Sequence, residues 1–183
     1  GKYIGEALQV AVKVSRADRL HMAVGATEIA VLVKLQGHPN VIALRDYFYS
    51  PYFAVLVMAK MDESVHSALK ARSSTGGLQP DIARYISKMF ARGVAHMHGL
   101  QFLHRDLHAG NVLLSLAGGD LTACSQVRHV CVADFGQSCD AHGDRTNARR
   151  SARKGAQQIV PPECALAHSS GATYDKPADV WAI

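Results

Sequence analysis

The sequence predicts an α+β fold, because both strand-like and helix-like patterns occur along the chain. Runs of β-branched and aromatic residues, which are typical of strands, cover residues 9–14, 41–49 and 53–58. Apolar residues three and four positions apart, which are typical of helices, recur over residues 27–35 and again after Pro80. The chain has 183 residues, of which 48% are apolar and 19% are charged. It is therefore long enough to bury a sizeable core, and it does not have the composition of a disordered protein.

Composition and charge argue against three other classes of protein. The longest apolar runs, such as residues 53–59, are far shorter than the ~20 residues that a membrane span needs. No signal-peptide pattern opens the sequence, so we expect no membrane partner and a cytoplasmic or nuclear location. The four cysteines form no C-x-x-C pair, so we expect reduced thiols without zinc. The net charge of +5 equals the number of bases in residues 145–154, and one basic loop does not lead us to expect a nucleic-acid partner.

The first predicted strand contains a lysine, Lys13, within an apolar run. A lysine at such a position is costly unless its ammonium meets an anion. The predicted helix of residues 27–35 offers one, since Glu28 lies near its start, and the Gly-His-Pro-Asn stretch at residues 37–40 ends it. We expect Lys13 and Glu28 to form an ion pair. The alternative is an edge strand with Lys13 reaching to water and a solvated Glu28.

The middle of the chain predicts a strand pair followed by a long helix. Residues 41–49 and 53–58 are separated by a Ser-Pro pair, which predicts two antiparallel strands joined by a turn. A polar, glycine-containing stretch at residues 72–77 separates them from a helix that begins at Pro80. The apolar face of this helix consists of Ile82, Ile86, Met89, Phe90, Gly93 and Met97. The histidines of the helix and of the loop after it do not have the spacing of metal ligands, so we expect no histidine metal site.

Residues 104–114 combine an acid and an amide at the entrance to an apolar run. Asp106 precedes Asn111 by five positions, so a carboxylate and a carboxamide can converge on one hydroxyl and one metal ion. That combination suits phosphoryl transfer. Further on, a predicted strand leads into Asp134, and the stretch 116–128 before it is predicted to be a surface insertion.

Together these motifs resemble those of the eukaryotic protein kinases, in the same order. The catalytic-loop pattern H-R-D-x-x-x-x-N is matched by residues 104–111, and the D-F-G pattern is matched by residues 134–136. The Val-Ala-Val-Lys sequence that ends at Lys13 resembles the kinase V-A-I-K strand, whose lysine pairs with a helix glutamate. Pro-Pro-Glu at residues 161–163 stands where kinases have A-P-E, and Asp-Val-Trp at residues 179–181 resembles the start of their long central helix.

The resemblance implies a two-lobed, protein-kinase-like fold that is truncated at both ends. Residues 1–61 would form the small antiparallel-sheet lobe, with part of the glycine-rich region, the lysine strand, the glutamate helix and the hinge. Residues 62–183 would form the mainly helical large lobe, with the catalytic loop, the activation segment and the start of the central helix, but without the helices that follow. An apolar stack that links the lobes would consist of Leu32, Leu44, His104 and Phe135.

The resemblance also implies an enzyme, a protein kinase that uses ATP and Mg²⁺. It would transfer the γ-phosphoryl group to a protein Ser or Thr hydroxyl, with Tyr as the less favoured acceptor. Asp106 would accept the hydroxyl proton, and Asn111 and Asp134 would bind Mg²⁺. Lys13, held by Glu28, would contact the ATP phosphates. The adenine site would be lined by the gatekeeper and hinge residues Met58, Ala59 and Met61.

Arg105 makes the loop an arginine-aspartate type, in which a phosphate on the activation loop usually neutralises the arginine. Ser151 lies twelve residues before Glu163, about where relatives carry that phosphate. We therefore predict Ser151 as the activating phosphosite, with Thr146 as the second candidate. A protein substrate and an upstream activating kinase would be the partners. The alternative is that Ser151 is an ordinary loop serine.

Two departures from the kinase pattern bear on the acceptor. His108 stands where serine/threonine kinases usually have a lysine, and Ala156 stands where they have the threonine that contacts it. We keep His108 and Arg105 among the candidate catalytic residues, but two alternatives stay open. One is a pseudokinase or scaffold that does not catalyse. The other is a small-molecule kinase, because H-x-D-L-H-x-x-N also resembles the aminoglycoside and choline phosphotransferases.

Overall fold

The computed structural model describes residues 9–16, 19–49, 52–118, 121–141, 161–162 and 175–183. Within these residues the elements, in chain order, are β1 (Val10–Arg16), α1 (Arg19–Leu35), β2 (Leu44–Tyr49), β3 (Phe53–Ala59), β4 (Glu63–Ser64), α2 (Val65–Ala71), α3 (Pro80–Gly99), β5 (Phe102–Leu103), β6 (Val112–Leu116), β7 (Val127–Val132), β8 (Cys139–Asp140) and α4 (Lys176–Val180). No helix in this part of the chain is long and apolar enough to cross a membrane.

The first sheet has the strand order β1-β3-β2, and its neighbouring strands are antiparallel. The β2–β3 pair confirms the antiparallel strands that the two aromatic runs predicted, although β2 begins only at Leu44. Val41 instead forms a parallel bridge to Val132 of the second sheet. The register of β1 on β3 places Lys13 opposite Leu56, at the middle of both strands.

Helix α1 begins at Arg19 and is therefore longer than the predicted segment 27–35. Gly25 weakens the helical pattern in the sequence, but the fold requires a glycine here because α1 crosses the sheet closely. A Cβ atom on Gly25 would lie only 2.9 Å from the Cβ atom of Ala54. The helix ends at Leu35 as predicted, and Gly37 follows it with a φ of 93°.

Helix α3 begins at Pro80 as predicted and packs against β7, an outer strand of the second sheet, whose order is β4-β6-β7. Its buried face consists of Ile82, Ile86, Phe90, Gly93, Val94 and Met97. The closest approach is at Gly93, where a Cβ atom would lie 2.5 Å from the carbonyl oxygen of Asn40 and 2.8 Å from Cγ2 of Val132. The absence of a side chain at Gly93 therefore lets α3 contact both the turn after α1 and the end of β7.

One apolar core cluster joins the two three-stranded sheets with α1 and α3. Most described residues of the predicted surface insertion 116–128 are exposed or half-buried, but the prediction is wrong for three residues that belong to this cluster. Leu116, Leu121 and Val127 are only 7%, 3% and 6% exposed. Leu116 and Val127 are the paired end residues of β6 and β7. Leu121 is a single apolar residue in a polar stretch without helix or strand periodicity, which is why the sequence pattern did not indicate its burial.

Several predicted features lie outside the described residues. They are the phosphosites Ser151 and Thr146, the residues Ala156 and Glu163, and the basic stretch 145–154. These remain predictions. In the described part of the chain, Cys124, Cys131 and Cys139 are free thiols.

Candidate active site

The Lys13 side chain connects β1 with α1 and with the turn that follows β7. Its Nζ donates to both carboxylate oxygens of Glu28, at 2.9 and 2.8 Å, and to Oδ1 of Asp134, at 2.8 Å. The predicted pair of Lys13 and Glu28 is therefore present, across a separation of 15 residues. The contact with Asp134 was not predicted, because it joins residues 121 positions apart and only the fold brings them together.

Burial and charge act in opposite directions on these three groups. Burial alone would lower the pKa of Lys13, but the carboxylates of Glu28 and Asp134 raise it above its ordinary value. Burial raises the pKa of Glu28, which is 1% exposed, and the Lys13 charge offsets this only in part. For Asp134, the hydrogen bond and charge of Lys13 outweigh burial, and the pKa is lowered. Lys13 is therefore a cation and Asp134 an anion at neutral pH.

The loop of residues 104–111 is anchored in the core by His104, which is 0% exposed. Its Nε2 lies 3.1 Å from the carbonyl oxygen of Ala133, and its ring centroid lies 5.1 Å from that of Phe135. Burial lowers the pKa of His104, so the ring is neutral. His104 and Phe135, two members of the predicted apolar stack, are therefore in contact, and Leu32 and Leu44 lie in or against the same core as Phe135.

Asp179 of α4 fixes the backbone at the start of this loop. Its carboxylate is 0% exposed and accepts hydrogen bonds from the backbone N–H groups of His104 and Arg105, at 2.8 and 2.9 Å. Nε2 of His98 lies 2.8 Å from the same carboxylate. Burial by itself would raise the pKa of Asp179, but these hydrogen bonds outweigh it, and the pKa is lowered. The contact also supports Arg105 in a left-handed conformation with a φ of 68°, which is costly for a residue other than glycine.

The sequence had not assigned His98 or Asp179 a place in the site. His98 was considered only as one of the histidines without metal-ligand spacing, and Asp179 was noted only as part of a helix motif. Their contact joins residues 81 positions apart, so no local pattern could have revealed it. Arg105, which was predicted to meet a phosphate, donates from Nε to the carbonyl oxygen of Gln137 in this structure.

Asp106 and Asn111 are held together within the loop. Nδ2 of Asn111 donates to the backbone carbonyl of Asp106 at 2.8 Å, and Asn111 itself is 8% exposed. The Asp106 side chain is 23% exposed, and its Oδ2 lies 3.9 Å from Nε2 of His108. No described residue donates a hydrogen bond to the Asp106 carboxylate. This carboxylate is therefore available to accept a proton from a bound molecule.

A cleft of about 380 Å³ collects most of the predicted site residues. Its lining includes the predicted residues Lys13, Glu28, Met58, Ala59, Met61, Asn111 and Asp134. It also includes Glu63, Ser64 and Gly110, which the sequence did not single out. The catalytic-loop candidates Asp106 and His108 adjoin this cleft through Asn111, which bonds to both through their backbone carbonyls.

Asn111 and Asp134 provide oxygen atoms for a cation. Nδ2 of Asn111 is engaged by Asp106, and no described residue donates to its Oδ1. Asp134 uses Oδ1 for Lys13 and is otherwise partly exposed, with 48% of its side chain accessible. Carboxylate and amide oxygens are ligands that Mg²⁺ accepts. The donor set therefore fits a magnesium ion.

Four functional groups line one cleft: the Lys13 ammonium, the buried Glu28 carboxylate that holds it, the Asn111 amide and the Asp134 carboxylate. The Asp106 carboxylate adjoins this cleft. These are the groups that phosphate binding, cation binding and proton acceptance require. The fold and the site are thus those of a phosphotransferase domain. The family model of the protein kinase domain matches residues 3–183, and the chain belongs to this family.

Several curated protein kinases are similar to this chain. CBL-interacting protein kinase 22 of Oryza sativa subsp. japonica is 34% identical over 160 residues, which cover 84% of this chain and 32% of that protein. Serine/threonine-protein kinase 10 of Xenopus tropicalis is 29% identical over 157 residues, which cover 85% of this chain and 15% of that protein. Serine/threonine-protein kinase 33 of Mus musculus is 27% identical over 156 residues, which cover 85% of this chain and 30% of that protein. The chain thus spans about a third or less of the length of these relatives.

Proposed function

We propose that this chain is the catalytic part of an ATP-dependent protein kinase that phosphorylates Ser or Thr hydroxyls. The proposal depends above all on one observation, namely that Lys13, Glu28, Asn111 and Asp134 line a single cleft and Asp106 adjoins it. Two of the relatives are named serine/threonine protein kinases, which supports this acceptor class.

ATP would lie in the cleft with its adenine against Met58, Ala59 and Met61, which form the wall at the end of β3. The Lys13 ammonium would bind the phosphates, because a cation held at a fixed position by Glu28 can stabilise negative charge without reorganising. Mg²⁺, held by Asn111 and Asp134, would supply positive charge to neutralise the phosphates during transfer.

Asp106 would orient the acceptor hydroxyl and accept its proton. The backbone of its loop is fixed from two sides, since Asn111 donates to the Asp106 carbonyl and Asp179 accepts from the two preceding N–H groups. These bonds hold the backbone that carries the carboxylate, and the carboxylate oxygens would stay open to substrate. Positioning of this kind supplies much of the rate in phosphoryl transfer.

Regulation would act through the arginine beside this aspartate. A phosphate on Ser151, or on Thr146, would bind Arg105 and order the activation segment, and an upstream kinase would add it. In the structure Arg105 bonds to Gln137, which lies just after the Asp-Phe-Gly turn. A phosphate that competes for this guanidinium would therefore act close to Asp134.

The proposal can be tested with purified full-length protein, ATP and Mg²⁺, using a degenerate Ser/Thr/Tyr peptide library as the acceptor. We expect transfer to Ser and Thr peptides. Asp106→Asn keeps the size of the side chain but removes the proton acceptor, so kcat should fall by about 10²- to 10⁴-fold. Asp81→Asn is the matched control, because that side chain is 83% exposed and its partner among the described residues is Arg84 in the same helix turn.

The outcomes separate the candidate functions. Turnover that survives Asp106→Asn would contradict the mechanism. Thermal stabilisation by ATP with Mg²⁺ but no transfer to any acceptor would indicate a pseudokinase. Transfer to aminoglycosides or choline in a parallel assay, with none to peptides, would indicate a small-molecule kinase.

A further inference from the structure

The ring of His108 has a defined orientation within the catalytic loop. His108 caps the short 3-10 turn of Ala109–Asn111, and its Nδ1 accepts a hydrogen bond from the backbone N–H of Gly110 at 3.0 Å. A ring nitrogen that accepts a hydrogen bond carries no proton, so in the neutral ring the proton is on Nε2. The loop therefore presents Nε2–H as a donor.

This donor faces the proton acceptor of the proposed reaction. Nε2 of His108 lies 3.9 Å from Oδ2 of Asp106, and the two side chains are 31% and 23% exposed. The separation is too long for a direct hydrogen bond. It leaves room for atoms of a bound molecule to contact both groups, with an oxygen accepting from Nε2–H and a hydroxyl donating to the carboxylate.

Gly110 permits this orientation of the ring. A Cβ atom on Gly110 would lie 2.7 Å from Cε1 and 2.8 Å from Nδ1 of His108, which is closer than van der Waals contact allows. The backbone of Gly110 does not have a left-handed φ, so its own conformation would accept alanine. A side chain at residue 110 would therefore strain no backbone angle, but it would force the His108 ring to move.

We propose that His108 is a catalytic residue whose Nε2–H donates to an oxygen of the transferring phosphoryl group, and that Gly110 is the positioning residue that aligns it. The proposal rests on the proposed function. The acceptor oxygen forms its bond to the γ-phosphorus as the bond from that phosphorus to the bridging oxygen breaks, and the electron pair leaves with ADP. The hydroxyl proton passes to Asp106, and His108 keeps its proton throughout.

The arrangement also accounts for the pair of departures from the kinase pattern. A flexible lysine at position 108 would need a partner elsewhere to fix it, whereas a histidine is fixed by the N–H group two residues later. His108 therefore does not need the threonine that is replaced by Ala156.

A double-mutant cycle measured as peptide phosphorylation tests the proposal. His108→Ala and Gly110→Ala should each lower kcat by about 10- to 100-fold, the loss of one hydrogen bond to a charged group. His108→Ala should change the KM for ATP little, because His108 does not belong to the lining of the cleft. Because both substitutions remove the same interaction, the double variant should be no slower than His108→Ala alone. His108→Lys should recover part of kcat. Gly99→Ala is the control, since a Cβ there meets nothing within 4 Å.

The results distinguish failure of this inference from failure of the proposed function. A wild type that is active and inactivated by Asp106→Asn, but unaffected by His108→Ala, would overturn the inference alone. So would a Gly110→Ala variant that loses as much activity in the His108→Ala background as in the wild type. An inactive wild type would overturn both proposals.

The ring orientation can be measured without activity. ¹⁵N NMR of the histidine rings at about pH 8, where an ordinary histidine is neutral, should show His108 protonated on Nε2 in the wild type. The resonance is assigned by its absence in His108→Ala. Gly110→Ala should abolish this tautomer preference, and a wild-type ring protonated on Nδ1 would overturn the proposal.

Discussion

The ammonium of Lys13 in β1 lies 2.8 Å from the carboxylate of Glu28 in α1, and Glu28 is only 1% exposed. Removing Lys13 would leave a buried carboxylate without its counter-charge. We expect Lys13→Met to reduce the free energy of unfolding by about 2 kcal/mol, which is less than the ~3–5 kcal/mol for a fully buried pair, because 36% of the Lys13 side chain is exposed and solvent screens its charge. Urea denaturation measures this change.

A substitution of Glu28, the partner of Lys13, provides the control. Glu28→Leu removes the isolated charge and replaces it with a good helix former. The double variant Lys13→Met/Glu28→Leu should therefore be more stable than Lys13→Met alone, while still lacking nucleotide binding. Equal stability of the single and double variants would show that the buried carboxylate is not the source of the loss.

We expect substitution by alanine to affect stability differently at two glycines of α3, Gly93 and Gly99. A Cβ on Gly93 would meet the carbonyl oxygen of Asn40 at 2.5 Å, and this oxygen already accepts a hydrogen bond from the N–H of Val132. Gly93→Ala should therefore destabilise the protein by about 1–3 kcal/mol through overpacking. Gly99→Ala meets no atom within 4 Å and should be neutral or slightly stabilising. Thermal unfolding of both variants tests this prediction. Equal unfolding midpoints would contradict the close approach of α3 to Asn40 at Gly93.

We expect the free energy of unfolding to depend on pH through the buried carboxylate of Asp179. Its folded pKa is lowered, so its contribution is present above the unfolded value of ~3.9 and is lost as the pH falls through the lower folded value. Asp179→Asn should cost about 3 kcal/mol at pH 7, because the amide cannot accept from all the buried donors. The difference from the wild type should narrow below about pH 4.

Urea titrations at several pH values test this prediction. The exposed variant Asp81→Asn should differ from the wild type by less than about 0.5 kcal/mol at each pH. A deficit of Asp179→Asn that stays constant down to pH 3 would mean that the Asp179 charge does not contribute to stability.

Local patterns predicted those parts of the fold in which one element determines its own structure. The β2–β3 pair, the start of α3 at Pro80 and the end of α1 before Gly37 follow from turn chemistry and apolar spacing. The pair of Lys13 and Glu28 could also be predicted, because a lysine inside an apolar strand requires an anion and the next helix offers one.

Features that depend on two distant elements could not be predicted in this way. The sequence did not predict the start of α1, because Gly25 opposes helix formation locally. The fold nevertheless requires a glycine there, since a Cβ atom would lie too close to Ala54. The burial of Leu121 and the bond from His98 to Asp179 likewise arise only when separate segments meet. The phosphosite Ser151 lies outside the described residues and stays a prediction.

The three protons of the Lys13 ammonium are all directed at protein carboxylates, two hydrogen bonds going to Glu28 and one to Asp134. Under the proposed function, a triphosphate must therefore displace Asp134 from Lys13 before it can take a full hydrogen bond. Asp134 would be removed as a competitor if its carboxylate held a divalent cation. Nucleotide and cation would then bind with positive and reciprocal coupling, so that each would raise the affinity of the cleft for the other by the same factor.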